Sequence, residues 1–290
     1  MKVVVTGANG QVGRSLVERL EHSDWQWEAH GRDTLDIADE AAVAALLERF
    51  RPDVVINAAA YTAVDKAEAE PDAARRGNVE GPAVLARACH AVGCALVHLS
   101  TDYVFSGEAE RPYVETDPTA PQGVYGRTKL EGEAAIRDAC PAHVIVRTAW
   151  VFGEHGHNFM KTMLRLAGER DELRVVDDQL GCPTYAGDIA DALLRIAERL
   201  VAGGEGLYGT YHFAGDKAVT WCGFAREIIA RAVEAGMIAK APRIVGIATH
   251  EYPTPAKRPA YSVLDSSRIG AVFGIEPSDW QAALVRILVA

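Results

Sequence analysis

The reading turns on Lys2-Val3-Val4-Val5-Thr6-Gly7-Ala8-Asn9-Gly10-Gln11-Val12-Gly13. Lys2 to Thr6 is a short β-branched run and reads as a buried strand. A GxxGxxG turn follows at once, and Val12, Leu16 and Leu20 recur at helical spacing. Strand, glycine turn and helix in this order are the context of a dinucleotide site. The turn needs little side-chain bulk so that backbone N–H groups can approach a pyrophosphate, and the helix N-terminus adds partial positive charge. Gly7, Asn9, Gly10, Gln11, Val12 and Gly13 are therefore the first cofactor-binding candidates.

Downstream, strands and helices alternate. Trp25 to His30 reads as a second strand, Asp39 as the cap of a helix carrying Val43, Leu46, Leu47 and Phe50, and Asp53 to Asn57 as a third strand. That strand ends in Ala58-Ala59-Ala60, small residues that let a ligand lie close to the backbone. A helix around Asn78 to His90 and a strand from Ala95 to Leu99 follow, ending in Ser100-Thr101. This alternation implies an α/β fold, a Rossmann-type doubly wound parallel sheet with ligands at the C-terminal strand ends. Residues 1–148 read as the dinucleotide-binding domain, with 187–215 returning to it. Residues 149–186 and 216–290 read as a smaller, mostly C-terminal α/β substrate-binding portion. Asp188, Thr220 and Ser278 are the expected helix caps in the second half of the chain.

Tyr125-Gly126-Arg127-Thr128-Lys129 places a phenol and an ammonium one turn apart on one helix face. A neighbouring positive charge favours phenolate and lowers its pKa from about 10, giving a group able to exchange a proton with an alcohol or ketone oxygen. The stretch from Ser100 to Pro121 reads as a loop over that site, and His155-Gly156-His157 as a surface loop.

The 290 residues are 49% hydrophobic and carry a formal charge of −10, enough for a full core and unsuited to a broad nucleic-acid or anionic membrane surface. Five scattered cysteines without a CxxC suggest reduced thiols, and with no signal-peptide pattern or membrane-length apolar run the expected location is cytoplasmic. No metal-ligand pattern is present.

GxxGxxG, Ser100-Thr101-Asp102 and Tyr-x-x-x-Lys, in this order, resemble the extended short-chain dehydrogenase/reductase superfamily. Asn57-Ala58-Ala59-Ala60-Tyr61-Thr62-Ala63-Val64-Asp65-Lys66, Ser100-Thr101-Asp102-Tyr103-Val104-Phe105 and Arg147-Thr148-Ala149-Trp150-Val151-Phe152 narrow it, as do Asn158-Phe159, Asp178-Gln179, Gly181-Cys182-Pro183-Thr184 and Arg258-Pro259. Together they resemble the dTDP-4-dehydrorhamnose reductase family. The resemblance implies reduction of the C4 ketone of dTDP-4-dehydro-β-L-rhamnose, the last step of dTDP-L-rhamnose synthesis. It implies Tyr125 as proton donor, Lys129 as the group that lowers the Tyr125 pKa and holds the nicotinamide ribose, and Thr101 as the hydroxyl on the reacting oxygen. It implies Thr62, Val64, Asp102, Tyr103 and Trp150 around the sugar, and Asp36 with Ile37 at the adenine.

NADPH is the expected cofactor, with NADH tolerated across the family. Arg32 at the end of the second strand suits a 2′-phosphate, while the adjacent Asp33 would oppose it if it turned inward. Arg258, in a proline-braced loop, is a candidate for the substrate pyrophosphate. Some family members dimerise through Mg2+ held by glutamates, one of them two residues after the third glycine. Here that residue is Ser15, so a monomer or a metal-independent homodimer is expected. Two other readings stay open at this point: a different nucleotide-sugar reductase or epimerase of the superfamily, and a regulatory subunit resembling the β-subunit of methionine adenosyltransferase.

Overall fold

The computed structural model describes residues 1–289. Its central sheet has six parallel strands: β1 (Lys2–Thr6), β2 (Gln26–His30), β3 (Val54–Asn57), β4 (Ala95–Thr101), β5 (His143–Thr148) and β6 (Gly209–His212). Their order is β6-β5-β4-β3-β1-β2. The sequence of strands reverses between β1 and β3, which opens a crevice beyond their C-terminal ends.

The unbroken apolar runs have a direct physical cause. Val3 and Val5 of β1 pack into one core cluster with α1 (Gln11–Leu20). Val4 packs into another, on the opposite face, with α2 (Glu40–Phe50) and α3 (Gly81–Val92). Val54 and Ile56 against Val55, and Val144 and Val146 against Ile145, split in the same way. A strand whose two faces are both covered has no polar positions to alternate. Helix α4 (Val124–Ala139) covers the second face through Ile136, and α5 (Ala186–Ala202) covers the first through Ile189, Leu193 and Ile196.

The remaining chain forms a second layer at the strand ends. Phe152, Met160, Leu173, Phe224, Ile228, Trp280 and Leu284 form its core, beside a parallel pair of strands, Glu172–Val176 and Arg243–Ile247. Asn158 joins the two layers. Its side chain caps helix Phe159–Glu169 by accepting from Lys161 N and donates to Gln11 Oε1 of the glycine turn at 2.9 Å.

Some sequence expectations are corrected. Two short helices, Val64–Ala69 and Pro71–Arg75, and a wide turn, Arg76–Glu80, precede α3. They are charged and broken by Pro71, so they carry no apolar period. Asp188 lies inside the first turn of α5, whose cap position is Tyr185; its carboxylate instead accepts from Ser278 Oγ at 2.6 Å. Because Ser278 is committed there, Asp279 takes over at the last helix, accepting from Ala282 N at 3.0 Å. Ile269 and Phe273 join the first core cluster beside β6 and α5, although residues 216–290 read as part of the substrate portion. No helix among the described residues is long and apolar enough to cross a membrane.

Candidate active site

At the switch point Gly7 has a φ of +77°, and a Cβ there would lie 2.4 Å from Ala59 N, so only glycine fits between β1 and β3. A Cβ on Gly13 would lie 2.1 Å from Gly7 O. Gly13 therefore lets α1 close onto the turn and does not itself line the crevice, unlike Gly7, Asn9, Gly10, Gln11 and Val12. The N-cap residue of α1 is Gly10, which offers no side-chain acceptor to the first turn of the helix. Those N–H groups face a cavity of about 940 Å³ with no carboxylate beside them, a donor set that fits a pyrophosphate. The cavity is large enough for a dinucleotide and a sugar together.

Arg32, Asp36 and Ile37 line one end of the cavity. Asp33 turns away: its Oδ1 accepts from Asn9 Nδ2 at 2.9 Å, through a gap that a Cβ on Gly31 would close. Arg76, which the sequence reading missed, also lines this end and pairs with Asp36 at 2.8 Å. Its signal was hidden in a charged stretch without periodicity. Ala58, Ala59 and Ala60 form the floor, with Thr62 and Val64 beyond them.

Thr101, Asp102, Tyr103, Tyr125, Lys129 and Trp150 converge on the same cavity from three different segments. Glycines make this possible. A Cβ on Gly126 would lie 2.2 Å from Tyr103 O, and one on Gly132 would lie 2.0 Å from Asn78 O. Helix α4 can therefore approach the turn after β4 closely enough to bring Tyr125 to Thr101. Its rotation is fixed by Glu133, which is fully buried. Glu133 accepts from Arg147 on β5 at 2.9 and 2.7 Å and from Ser100 on β4 at 2.6 Å. Ser100 is thus structural, while the Thr101 hydroxyl donates to Asp102 Oδ1 at 2.9 Å beside the cavity.

The electrostatics correct one expectation. Burial pushes the Tyr125 phenol up to about 12, with the Asp102 charge adding to the rise and hydrogen bonding to Thr101 opposing it. Lys129 is pushed down to about 8 by burial, against the pull of Glu133. Its Nζ donates to Leu99 O at 2.7 Å. In the ligand-free chain desolvation therefore outweighs the assistance that Tyr-x-x-x-Lys spacing alone suggested. Burial also raises Asp102 to about 6, and its Oδ2 has no partner.

Trp150 holds a left-handed φ of +47°, a strained value for a tryptophan, and stacks on Trp221 with ring centroids 3.5 Å apart. Trp221 lines the cavity too, as do Phe159 and His157. His157 read as surface loop and Trp221 carried no site signal; only the folded chain brings them to the site. Arg258 is the reverse case. It donates to Asp65 Oδ2 at 2.7 Å and to Ala256 O, its charge is neutralised there, and it does not line the cavity. Ser15 is buried and donates to Gln11 O.

A glycine-turn cradle at the switch point, with threonine, tyrosine and lysine side chains beside it, defines an extended short-chain dehydrogenase/reductase. Comparison with known proteins narrows this. The chain matches the RmlD substrate binding domain family over residues 1–290. It is 47% identical to the dTDP-4-dehydrorhamnose reductase of Aggregatibacter actinomycetemcomitans, over 99% of this chain and 98% of that one. A crystal structure of a dTDP-4-dehydrorhamnose reductase from Clostridium acetobutylicum is 40% identical with a TM-score of 0.91, covering 99% of this chain and 98% of that one. One from Bacillus anthracis, solved in complex with NADP, is 35% identical with a TM-score of 0.91 and the same coverage. The chain belongs to the dTDP-4-dehydrorhamnose reductase family.

The Glu133 cluster yields a stability prediction. Glu133→Gln leaves Arg147 buried without a counter-charge, which costs about 3–5 kcal/mol. Urea denaturation near neutral pH should show a lowered midpoint. Burial pushes the Glu133 carboxyl up, but Arg147, Ser100 and Arg137 outweigh it and the net value is lowered from 4.5. Its contribution is therefore complete above the unfolded value and is lost as pH falls through the lower folded one. The gap between wild type and variant should narrow as the pH drops below about 4.5. A midpoint unchanged at neutral pH would contradict the role given to Glu133.

Proposed function

We propose that this chain reduces the C4 ketone of dTDP-4-dehydro-β-L-rhamnose to dTDP-β-L-rhamnose with NADPH, the last step of dTDP-L-rhamnose synthesis. The observation that carries the reading is the convergence of the glycine-turn cradle and the Thr101, Tyr125 and Lys129 side chains on one cavity. The full-length likeness to reductases of that name gives the substrate class. A catalytic reading accounts for these groups better than a regulatory subunit does, because a binding module has no need of hydroxyls aligned beside a dinucleotide cradle.

The nicotinamide, when bound, supplies the hydride. The chain does the rest. The Gln11 and Val12 end of α1 receives the pyrophosphate, Asp36 and Ile37 meet the adenine, and Ala58, Ala59 and Ala60 let the dinucleotide lie flat on the strand ends. Thr101 turns its hydroxyl hydrogen from Asp102 to the ketone oxygen as negative charge develops there. Tyr125 delivers the proton that makes the alcohol. Once charged, Lys129 holds the ribose and lowers the phenol from its burial-raised value, so that the transfer proceeds near neutral pH. Thr62, Val64, Asp102, Tyr103 and Trp150 surround the sugar, with Trp221 backing Trp150. Arg258 is left out of this set, its charge being taken up by Asp65.

The reading is tested by incubating the purified chain with dTDP-4-dehydro-L-rhamnose and NADPH and following cofactor oxidation. Tyr125→Phe should keep NADPH binding while kcat falls by about 10²–10⁴-fold, the usual loss on removing a general acid. Wild-type turnover in that variant would remove Tyr125 from the mechanism.

NADPH should be preferred to NADH, since Arg32 lines the adenine end and Asp33 is held by Asn9. A charge-assisted hydrogen bond of about 1.5–3 kcal/mol corresponds to roughly a ten- to hundred-fold preference. The measurement is kcat/KM for each cofactor in wild type and Arg32→Ala. The ratio should collapse in the variant; identical ratios in the two proteins would show that Arg32 does not read the 2′-phosphate.

A further inference from the structure

Behind Lys129 lies a buried line of polar groups that the reaction itself does not use. Thr6 Oγ1 donates to Asn57 Oδ1 at 2.7 Å, Asn57 Nδ2 lies 2.9 Å from His98 Nδ1, and His98 Nε2 lies 3.3 Å from Lys129 Nζ. Thr6, Asn57 and His98 are buried on three adjacent strands, β1, β3 and β4. The direction of each hydrogen bond in this line can be worked out.

Asn57 Oδ1 also accepts from Ala59 N at 3.0 Å. A backbone N–H can only donate, so the amide oxygen of Asn57 must face it and the NH₂ must face His98. His98 Nδ1 must then accept, and a neutral ring carries its proton on Nε2. A doubly protonated ring would set N–H against N–H at Asn57, and burial keeps His98 well below its ordinary pKa. The Nε2–H therefore points at Lys129 Nζ. An ammonium has no lone pair to accept it, whereas an amine does.

We propose that His98 is a positioning residue: its Nε2–H, aimed by Asn57, favours Lys129 as an uncharged amine at mildly alkaline pH until a nicotinamide dinucleotide binds, and Lys129 then takes up a proton from solvent. The inference rests on the dinucleotide reading of the cavity. Bound cofactor brings ribose oxygens and phosphate charge to the face of Lys129 that the free chain leaves to the cavity, and these favour the ammonium. In that pH range Lys129 becomes able to assist Tyr125 when the hydride source is in place.

The charged and titratable groups around Lys129 are consistent with this. Glu133, one turn along α4, favours the ammonium, but its carboxylate is committed to Arg147 of β5 and Ser100 of β4. Tyr125, one turn back, is a neutral phenol, and Asp102 bears on Tyr125. From the 76–80 turn the group that meets α4 is the uncharged Asn78, through Thr128. Burial already takes Lys129 down to about 8.

The test is calorimetric titration of NADPH into the ligand-free protein at about pH 8.5, in two buffers of different ionisation enthalpy, which counts protons exchanged on binding. Uptake of more than half a proton per NADPH is expected, declining towards zero as the pH is lowered through 7. NADH should give the same uptake, which excludes the 2′-phosphate as its source. Lys129→Met should abolish the uptake. His98→Phe, which removes the opposing donor, should reduce it. His98→Gln can offer an amide oxygen to Asn57 and an N–H to Lys129, preserving the polarity of the line, and should restore it. Binding without uptake in the wild type would overturn the inference, as would equal uptake in wild type and His98→Phe. If His98→Phe does not fold, His98→Leu, which also lacks a donor, is titrated in its place and is read by the same two outcomes. Absence of any binding would instead overturn the dinucleotide reading, and this inference with it.

Discussion

The arrangement of the site depends on one buried ion pair. Glu133 of α4 meets Arg147 of β5 in a two-point contact, with Ser100 of β4 as a third anchor. Lys129 and Tyr125 lie four and eight residues before Glu133, so they share its helix face. Fixing Glu133 against two strands fixes the rotation of that face. The phenol and the amine then have one direction available, toward the strand ends where β1 and β3 part. A neutral contact could supply packing, but a bidentate carboxylate–guanidinium pair also supplies register, since it tolerates little rotation or sliding.

The same economy of space governs the cofactor side. Gly7, Gly13, Gly126 and Gly132 each stand where a Cβ would meet backbone at 2.0 to 2.4 Å. None of them is needed for chemistry. They let α1 reach the turn and α4 reach the end of β4, so that donors from segments distant in sequence open onto one cavity. Burial achieved this way has an electrostatic consequence: it raises Tyr125 and lowers Lys129 together. The phenol of the resting site is a weak acid until a bound ligand changes the field.

Much of this was legible in the sequence because it rests on local rules. Val3, Val4 and Val5 announce a strand covered on both faces, and GxxGxxG announces the turn. The Tyr125–Lys129 spacing announces the helix face. What stayed hidden depends on contacts between distant segments. Trp221 reaches the site only by stacking on Trp150, and Arg76 only because a short charged segment folds back beside Asp36. Arg258 read as a free cation because the sequence does not show Asp65 against it. Asp39 and Thr220 do cap their helices, but two other caps failed for a similar reason: Asp188 and Ser278 are good cap residues that bond to each other. The sign of the Tyr125 shift was misjudged because spacing reveals the neighbouring charge but not the depth of burial.

The most direct test of the account is the fate of the hydride. The chain would be incubated with dTDP-4-dehydro-L-rhamnose and NADPH carrying deuterium at the transferable position, and the product examined by NMR. The account predicts a dTDP-L-rhamnose with deuterium at C4 and one cofactor oxidised for each alcohol formed. Recovery of unreduced ketone, or of an isomerised sugar with the cofactor unconsumed, would contradict it.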